Sequence, residues 1–220
     1  MESISEKNGL EIIEENDLNI LSIGISTSGS AEIKMAKKNP NSKIIATTID
    51  EKGLNVVKET IDKENLNKQI EVKLEDVTKK SNYPDNYFDY IYARLVLHYL
   101  NNKDLENALK ELNRVLKPNG KIFIVVRSTN AWEAKLDGTT YDEETGFTKH
   151  PDVRTYGTPD VKYCHRRLHT KESIKEFLEK ANFKVKHTKV YDEYLSPDFD
   201  RKNMNEKASE LIEVLAIKGE

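Results

Sequence analysis

The sequence predicts a single α/β domain built around a mainly parallel β-sheet. Three observations support this: the chain has 220 residues, short apolar runs alternate with amphipathic stretches over most of it, and its last two apolar runs lack a crossover helix between them. A chain of this length can bury most of its apolar surface in one core. Strands that alternate with helices form βαβ units with right-handed crossovers, so we expect residues 1–220 to fold as one domain.

Short apolar runs bounded by turn residues mark seven strands. The predicted strands cover residues 19–24, 43–50, 70–74, 88–93, 122–126, 183–191 and 211–217. The turn signal Pro84-Asp85-Asn86 precedes the fourth strand, and the last strand is apolar enough to lie inside the sheet. Because no long crossover precedes this last strand, we expect it to be antiparallel to its neighbours.

Apolar residues at helical spacing predict helices between the strands, and therefore on both faces of the sheet. The predicted helical stretches cover residues 10–15, 31–38, 54–61, 105–116 and 171–181. Ser28 or Ser30 is the candidate N-cap of the second helix, and Thr170 is that of the last one. The turn Lys117-Pro118-Asn119-Gly120 ends the fourth helix.

Composition and charge argue against several classes of function. The formal net charge is -3 and the pI about 6.0, which offers no general attraction for phosphate backbones, so a nucleic-acid partner is not expected. Charged residues make up 33% of the chain, and no apolar run reaches the length of a membrane span. The glutamate-rich residues 1–17 lack the layout of a secretion signal, and the single cysteine, Cys164, fits a reducing compartment. We therefore expect a cytoplasmic protein with no membrane partner.

Residues at the carboxyl ends of the first three strands are candidates for a binding site, because open α/β sheets bind ligands at that edge. Gly24 lies where the first strand turns into the next helix, and such a turn offers backbone N–H groups to a ligand. Asp50 ends the second strand, where an acid accepts hydrogen bonds from ribose hydroxyls. Asp76 follows the third strand, where it can accept the amine of an adenine beside the apolar Val77. Each has a plainer interpretation: a tight turn at Gly24, a helix N-cap at Asp50 and a turn residue at Asp76.

Five sequence motifs follow one another between residues 19 and 127. They read NILSIG, TTID, LEDV, PDNYFDYIYARLVLHYL and LNRVLKPNGKIFIVV. The stretch 83–126 is the most specific, with Phe88-Asp89 opening a strand, a Leu97-His98 pair, and the turn Leu116-Lys117-Pro118-Asn119-Gly120 before an apolar strand. In these motifs the chain resembles the class I methyltransferases that use S-adenosylmethionine. The resemblance implies a Rossmann-like methyltransferase fold, with a mainly parallel seven-stranded sheet, an antiparallel last strand, and transfer of a methyl group to a nucleophilic acceptor atom.

The resemblance also assigns roles around a bound S-adenosylmethionine. It places Gly24 and the turn through Ser26 against the methionine part, Asp50 on the ribose, Asp76 with Val77 on the adenine, and Ala93 with Arg94 near the amino-acid end and the transferred methyl. His98 would line the active-site side of the next helix start. Family members usually carry an acid at the position of Ser22 and a glycine at that of Ser26. Aspartate at 22 and glycine at 26 are therefore expected to tighten cofactor binding.

Two other functions fit parts of the pattern. A non-catalytic or repurposed module that binds S-adenosylmethionine or S-adenosylhomocysteine would explain the departures at Ser22 and Ser26. A nicotinamide-dependent oxidoreductase uses a similar turn, but the chain lacks a complete G-x-G-x-x-G motif and its end is predicted to be antiparallel.

Residues 128–169 stand where substrate-covering insertions occur in the family, and we expect them to cover the acceptor. They contain aromatic residues among cations, which can hold an aromatic or anionic substrate. A surface excursion with solvated charges is the plainer interpretation. His98, His165 and His169 are candidate general bases, because histidine titrates near neutral pH.

The same segment invites a metal hypothesis through Cys164, His165 and His169, but their spacing matches no standard zinc site, so no metal is expected. The charge favours a small-molecule acceptor over RNA, and a protein or peptide acceptor stays open. The sequence does not indicate the oligomeric state.

Overall fold

The computed structural model describes residues 3–195 and 207–219. Residues 1–2, 196–206 and 220, which belong to the domain predicted over the whole chain, lie outside the described residues. The strands are β1 (Asn19–Ile23), β2 (Lys43–Thr48), β3 (Ile70–Leu74), β4 (Phe88–Arg94), β5 (Leu116–Arg127), β6 (Thr140–Tyr141), β7 (Thr148–Pro151), β8 (Tyr163–Arg166), β9 (Phe183–Glu193) and β10 (Ser209–Lys218). The helices are α1 (Ile4–Glu11), α2 (Ser30–Lys38), α3 (Glu51–Lys63), α4 (Asn102–Val115) and α5 (Lys171–Lys180), with short 3-10 turns at Leu97–Tyr99 and Trp132–Lys135.

Seven strands form the main sheet in the order β3-β2-β1-β4-β5-β10-β9. The five strands from β3 to β5 are parallel, with Leu21 paired to Ile45 on one side and to Ile91 on the other. Strand β10 is antiparallel to both β5 and β9, and Val214 is paired with Ile124. The predicted fold class, with its antiparallel last strand, is confirmed. None of the described helices combines the length and apolarity that crossing a bilayer requires.

The core has two layers because successive strand residues point to opposite faces of the sheet. In β5, Ile124 packs on the face covered by α4 and α5, whereas Phe123 packs on the face covered by α2 and α3. Leu109 of α4 and Met35 of α2 are both fully buried against these faces. Burying one such side chain stabilises the fold by about 1.5–3 kcal/mol.

Several expected helix ends were wrong. Helix α1 covers Ile4–Glu11 rather than residues 10–15, and the Ser3 side chain caps it by accepting from the Glu6 N–H. Neither Ser28 nor Ser30 caps α2: its N-cap is Gly29, in a left-handed conformation with φ 56°. Glycine suits this position because a left-handed backbone is strained for other residues, and an added Cβ would lie 3.2 Å from a methyl of Ile61.

The end of α4 and the start of α5 follow the sequence more closely. Helix α4 ends at Val115, ahead of Pro118, and Leu116 already belongs to β5. The predicted cap at Thr170 is confirmed, because its hydroxyl accepts from the Ser173 N–H and the Ser173 hydroxyl in turn accepts from the Thr170 N–H.

Residues 128–169 contain a small sheet that the sequence did not predict. Its three antiparallel strands have the order β6-β7-β8. Backbone hydrogen bonds join the two ends of the segment: the Thr129 N–H donates to His169 O at 2.9 Å, and the His169 N–H donates to Arg127 O at 2.9 Å. The segment therefore leaves and rejoins the main sheet at one point, the carboxyl end of β5.

Candidate active site

The carboxyl ends of β1, β2 and β3 bring the predicted cofactor residues to one edge of the sheet. Asp50 and Asp76 line the same open depression of about 700 Å³, together with Ile49, Leu74 and Glu75. Gly24 follows β1, the strand next to β2, and is exposed. The topology therefore gathers side chains that are 26 residues apart or more in sequence, as expected at this edge of a parallel sheet.

Position 24 requires a residue without a side chain. Its backbone has φ 79°, and an added Cβ would lie 2.8 Å from Cγ2 of Val96. The Gly24 and Ile25 N–H groups both donate to the Thr47 carbonyl oxygen at 2.9 Å, so β2 holds the turn in place. These two N–H groups are thus already satisfied, and the residue itself is exposed.

The carboxylates of Asp50 and Asp76 each accept a hydrogen bond from the backbone N–H two residues later. Asp50 is the N-cap of α3 and accepts from the Lys52 N–H at 3.0 Å. Asp76 accepts from the Thr78 hydroxyl at 2.7 Å and from the Thr78 N–H at 2.9 Å, and these bonds lower the pKa of its carboxyl group. Both carboxylates are exposed. The helix-cap interpretation of Asp50 is confirmed, and contacts with ribose and adenine stay predictions.

The two serines that depart from the family pattern have partners of their own. The Ser22 hydroxyl donates to Glu32 Oε1 of α2 at 2.5 Å, and both residues are buried. Helix α2 thus brings a carboxylate to the position where the family resemblance expects an acid on β1. The Ser26 and Ser28 hydroxyls are hydrogen-bonded to each other at 2.9 Å, across the turn that follows Gly24.

A narrow cavity of about 160 Å³ lies beside Asp76 and Val77. Tyr83 forms part of its wall, and its hydroxyl donates to both carboxylate oxygens of Glu75, at 2.7 and 2.8 Å. Burial, with the neighbouring Glu75 carboxylate, raises the pKa of the Tyr83 phenol. Val77 packs partly buried against the core, so the apolar wall expected there is present.

An ion-pair network holds the loop that leads to Tyr83. Arg114 binds Glu111 through both Nε, at 2.9 Å, and Nη2, at 2.6 Å, and it also donates to Asp85 and to the Tyr83 carbonyl. Glu111 accepts from the Ser81 N–H and hydroxyl as well. The hydrogen bond from Arg114, together with those from Ser81, lowers the pKa of Glu111 to about 2.

Ala93 and Arg94 are the last residues of β4 rather than residues beyond it. Ala93 is fully buried. The Arg94 guanidinium donates to Glu193 Oε1 at 2.7 Å and to the hydroxyls of Ser3 and Ser5, at 2.8 and 2.6 Å. The side chains of Arg94 and Glu193 are 10% and 4% exposed. The structure thus engages Arg94 in a buried ion pair that ties β9 and the start of α1 to β4.

The chain turns sharply after β4, so that Val96 and His98 pack against different parts of the protein. Leu95 has φ 55°, a left-handed conformation that is strained for a bulky residue. Val96 packs against Gly24, and His98 follows in a 3-10 turn. His98 is 1% exposed, and within residues 3–195 and 207–219 neither of its ring nitrogens has a hydrogen-bond partner. Burial, with Arg127 and Arg166 nearby, holds the pKa of His98 well below its usual 6.5.

Cations of residues 128–169 and of β5 gather around His98. The Arg166 guanidinium lies 3.1 Å from Nε2 of His150 and 5.7 Å from the centre of the Tyr99 ring. Arg127, the last residue of β5, forms a buried ion pair with Glu133. We call His98, Arg127, His150, Arg166, Arg167 and His169 the cation cluster.

Of the three predicted general bases, the structure brings two together. His169 is buried, its Nδ1 lies 3.1 Å from the Ser173 hydroxyl, and burial with Arg167 lowers its pKa to about 3. His165 is exposed and alternates along β8 with the inward Cys164 and Arg166. In the described part of the chain, no three His, Cys, Asp or Glu side chains are grouped to hold a metal ion.

Sequence reasoning missed Arg127, Tyr83 and Glu32. Arg127 was within reach, because it follows directly on the predicted fifth strand and residues at strand ends are the ones to inspect. Tyr83 is the first residue of the most specific motif stretch, but the sequence assigns it no role in the site. Nothing in the sequence marks Glu32, whose contact with Ser22 depends on how α2 packs.

These features define a class of protein: a Rossmann-like fold with a glycine turn after β1 and carboxylates after β2 and β3, suited to a nucleoside cofactor. Comparisons with known proteins narrow the class. Residues 21–124 match the model of the methyltransferase domain family. A solved structure of a SAM-dependent methyltransferase from Methanosarcina mazei superposes with a TM-score of 0.68 at 19% identity, over 95% of each chain. The match of residues 21–124 supports membership of the chain in the class I methyltransferase family.

Two curated relatives show similarity over shorter stretches. Demethylmenaquinone methyltransferase of Lactobacillus johnsonii is 30% identical over 162 residues, which are 71% of this chain and 64% of that protein. Phosphoethanolamine N-methyltransferase 3 of Arabidopsis thaliana is 35% identical over 89 residues, which are 40% of this chain and 17% of that protein. The chain thus spans less than two thirds of the length of each of these relatives.

Proposed function

We propose that this protein transfers a methyl group from S-adenosylmethionine to a nucleophilic atom of a small-molecule acceptor. The observation that carries the proposal is the placement of Gly24, Asp50 and Asp76 at one sheet edge, next to a buried group of histidines and arginines at the ends of β4 and β5. The family match and the relatives' names support the same reaction.

The residues at the ends of β1 to β3 fit the cofactor. Gly24 is exposed and has no side chain, so the methionine part can approach its backbone, and the exposed Asp50 carboxylate can accept from the ribose hydroxyls. Asp76 can accept the adenine amine, with Val77 and Tyr83 as the walls beside it. Glu32, held by Ser22, supplies a carboxylate near the glycine turn. When bound, the cofactor supplies an electrophilic methyl group on a positively charged sulfur.

Residues at the ends of β4 and β5 would then orient the acceptor and keep water out. Residues 128–169 cover this part of the edge, and alignment of reactants in a dry site is the main contribution an enzyme makes to such a displacement. His98 is neutral near pH 7 because its pKa is lowered, so it can accept a hydrogen bond or a proton from the acceptor. His169 is a second candidate, and His165 is exposed on the far side of β8.

The proposal also includes the kind of acceptor and the cellular location. Demethylmenaquinone and phosphoethanolamine are acceptors in the names of relatives, so a small molecule is our first choice and a protein or peptide the second. A cytoplasmic location rests on the free Cys164, which fits a reducing compartment.

A second candidate function is a non-catalytic or repurposed module that binds the cofactor or its product. The observation in its favour is the turn after Gly24, where Ser26, hydrogen-bonded to Ser28, occupies a position that glycine usually takes in the family. A Cβ at this position narrows the approach of a ligand to the backbone.

Isothermal titration of the purified chain with S-adenosylmethionine, S-adenosylhomocysteine and NADH separates these functions. We expect micromolar binding of the first two and none of NADH. Methylation of any compound in a screen of small acceptors would then exclude the non-catalytic module. A folded protein that binds neither sulfur compound would contradict the proposal. The variant Ser26→Gly, which is expected to bind the cofactor more tightly, tests the placement of the turn.

A further inference from the structure

We propose that the cation cluster is a binding site for an anionic group of the acceptor, a carboxylate or a phosphate, enclosed by residues 128–169 at the ends of β4 and β5. The inference rests on the proposed methyl transfer, since it names the chemistry of the acceptor. It does not depend on the cofactor for its own test.

The cluster holds more positive than negative charge. Arg127 is the only one of its three arginines that pairs with a carboxylate, Glu133, among the described residues. Arg166 contacts a neutral histidine and an aromatic ring, and Arg167 contacts the amide oxygen of Asn102 and the ring of Phe177, 4.4 Å from its centre. In the described part of the chain, neither Arg166 nor Arg167 forms an ion pair with a carboxylate, although Asp152 interacts electrostatically with Arg166 and Glu106 with Arg167. Both arginine residues are more than half hidden from water.

The cluster also holds nitrogens that lack hydrogen-bond partners. These buried atoms are Nδ1 and Nε2 of His98, Nε of Arg127, Arg166 and Arg167, and Nε2 of His169. Native structures leave very few buried polar groups unpaired, so this group indicates a ligand. The three arginine Nε–H groups and one N–H of the neutral His98 are donors that a ligand with acceptor atoms would satisfy, whereas the unpaired Glu133 Oε2 beside Arg127 is an acceptor. His98 is 1% exposed and Arg127 7%, which places the unpaired atoms inside the protein rather than at its surface.

The donor set selects an anion. Guanidinium groups only donate, and their planar geometry matches carboxylate and phosphate oxygens. Burial and the arginines lower the pKa values of the histidines, to about 4 for His150 and about 3 for His169, so near pH 7 these imidazoles add no charge. The donor of His150 is already used, because its Nδ1 donates to the Pro151 carbonyl oxygen at 3.0 Å and its Nε2 accepts from Arg166. A metal cation would meet arginines instead of carboxylates.

The position of the cluster suits a methyl acceptor. His98 is two residues beyond Val96, which packs on Gly24 in the predicted cofactor site. Arg127 ends β5, the strand next to β4. An acceptor held by its anionic end in the cluster would extend along the edge towards the end of β1, where its nucleophile would meet the methyl group.

Calorimetry of the full chain with inorganic phosphate and with acetate, in chloride buffer at constant ionic strength, tests the site. Arg166→Gln removes the central unpaired cation. Lys149→Gln is the matched control, because Lys149 lies on the adjacent strand β7, is exposed, and has its amino group over the Tyr163 ring. We expect one of the two anions to bind wild type and the control alike, and Arg166→Gln to weaken that binding about tenfold or more.

Three outcomes overturn the inference: neither anion binds the wild type, Arg166→Gln binds like the wild type, or both variants lose affinity equally. Titration with S-adenosylhomocysteine on the same samples separates the two proposals. Cofactor binding without anion binding removes this inference alone, and anion binding without cofactor binding removes the proposed methyl transfer alone.

A measurement on the wild type alone does not depend on whether a variant folds. Imidazole NMR signals of the wild type are followed as phosphate and acetate are added. An anion in the cluster should shift signals of the buried His98, His150 and His169 while those of the exposed His165 stay in place. Equal shifts for all of them, or none, would count against the site.

Discussion

The two halves of the sheet edge differ in whether the protein itself supplies hydrogen-bond partners for their polar groups. At the ends of β1 to β3, the protein supplies the partners: Asp50 caps α3, Asp76 binds Thr78, and Ser22 binds Glu32. At the ends of β4 and β5, under residues 128–169, six buried nitrogens have no hydrogen-bond partner among the residues that the structure describes. The first half is complete without a ligand, whereas the second is complete only with one, which is what separate sites for cofactor and acceptor require.

Arg94 and Arg166 both lie in the second half, near strand ends, and of the two only Arg94 has a buried carboxylate partner among the described residues. They therefore separate a cation that stabilises the fold from one that is proposed to bind a ligand. Arg94→Met leaves Glu193 charged and 4% exposed, with the serines as its remaining donors. We expect a loss of about 3–5 kcal/mol in the free energy of unfolding, measured by urea denaturation.

Arg166→Gln should cost within about 1 kcal/mol in the same measurement, because it leaves no charge uncompensated. If Arg166→Gln were as damaging as Arg94→Met, the cluster would be part of the stabilising framework. The contrast between the two halves would then be lost.

Ser22→Asp tests whether α2 already supplies the acid that β1 lacks. From the sequence, aspartate at position 22 is expected to tighten cofactor binding. In the structure it would face the Glu32 carboxylate, 2.5 Å from the present hydroxyl and equally buried. Two buried like charges at this distance raise the pKa of one of them strongly, and we expect a loss of about 3 kcal/mol in unfolding free energy.

The double variant Ser22→Asp with Glu32→Ser restores one acid in place of two. It should recover most of the lost stability and retain affinity for S-adenosylhomocysteine in calorimetry. Tighter cofactor binding by Ser22→Asp alone, with no loss of stability, would contradict the assignment of Glu32.

The main sheet could be predicted from the sequence because its strands are apolar enough to be recognised one at a time. In β5 the residues from Ile122 to Val126 are all fully buried, and alternate ones belong to the two core layers. The segment therefore reads as a strand covered on both faces, whatever the rest of the chain does. Gly24, Asp50 and Asp76 could be placed for the same reason, since each stands at a strand end.

The acceptor half resisted prediction because its order comes from contacts distant in sequence. The strands β6, β7 and β8 have two to four residues, and only β7 is mostly buried, so no apolar period reveals them. Arg127 pairs with Glu133 and a serine 82 residues away. The Ser22 to Glu32 contact spans 10 residues, but a helical glutamate ordinarily indicates a solvated face.

Gly24→Ala tests the close approach at the cofactor half. An alanine Cβ would lie 2.8 Å from Val96 Cγ2, so Val96 or the turn must move, which changes the surface that the cofactor is proposed to approach. We expect the dissociation constant for S-adenosylhomocysteine to rise about tenfold or more, a change of about 1.4 kcal/mol. Gly157→Ala is the matched control: it has φ 83° and nothing within 4 Å of an added Cβ.

Both alanine variants carry the same left-handed strain, about 1–2 kcal/mol, so both should lose stability. Only Gly24→Ala should lose affinity. Equal affinities for wild type and Gly24→Ala would mean that the cofactor does not approach this turn.

Glu111→Gln tests whether the cofactor half is held by its own ion pairs. Because the pKa of Glu111 is lowered to about 2, its contribution to stability is fully present above the usual value near 4.5 and is lost as the pH falls towards 2. The variant lacks that contribution at every pH. We expect it to be about 1 kcal/mol less stable at pH 7, and its stability to fall less steeply than that of wild type between pH 4.5 and 2.

Urea midpoints measured across this pH range give the slopes directly. Lys110→Gln, at an exposed neighbour on α4, changes the net charge by one unit in the opposite direction without touching the pair and should keep the slope of wild type. Arg114→Gln removes the donor that lowers the pKa, so it should flatten the curve as Glu111→Gln does. Parallel curves for wild type and Glu111→Gln would show that the loop carrying Tyr83 is held by other contacts, and the cofactor half would lose its claim to be complete without a ligand.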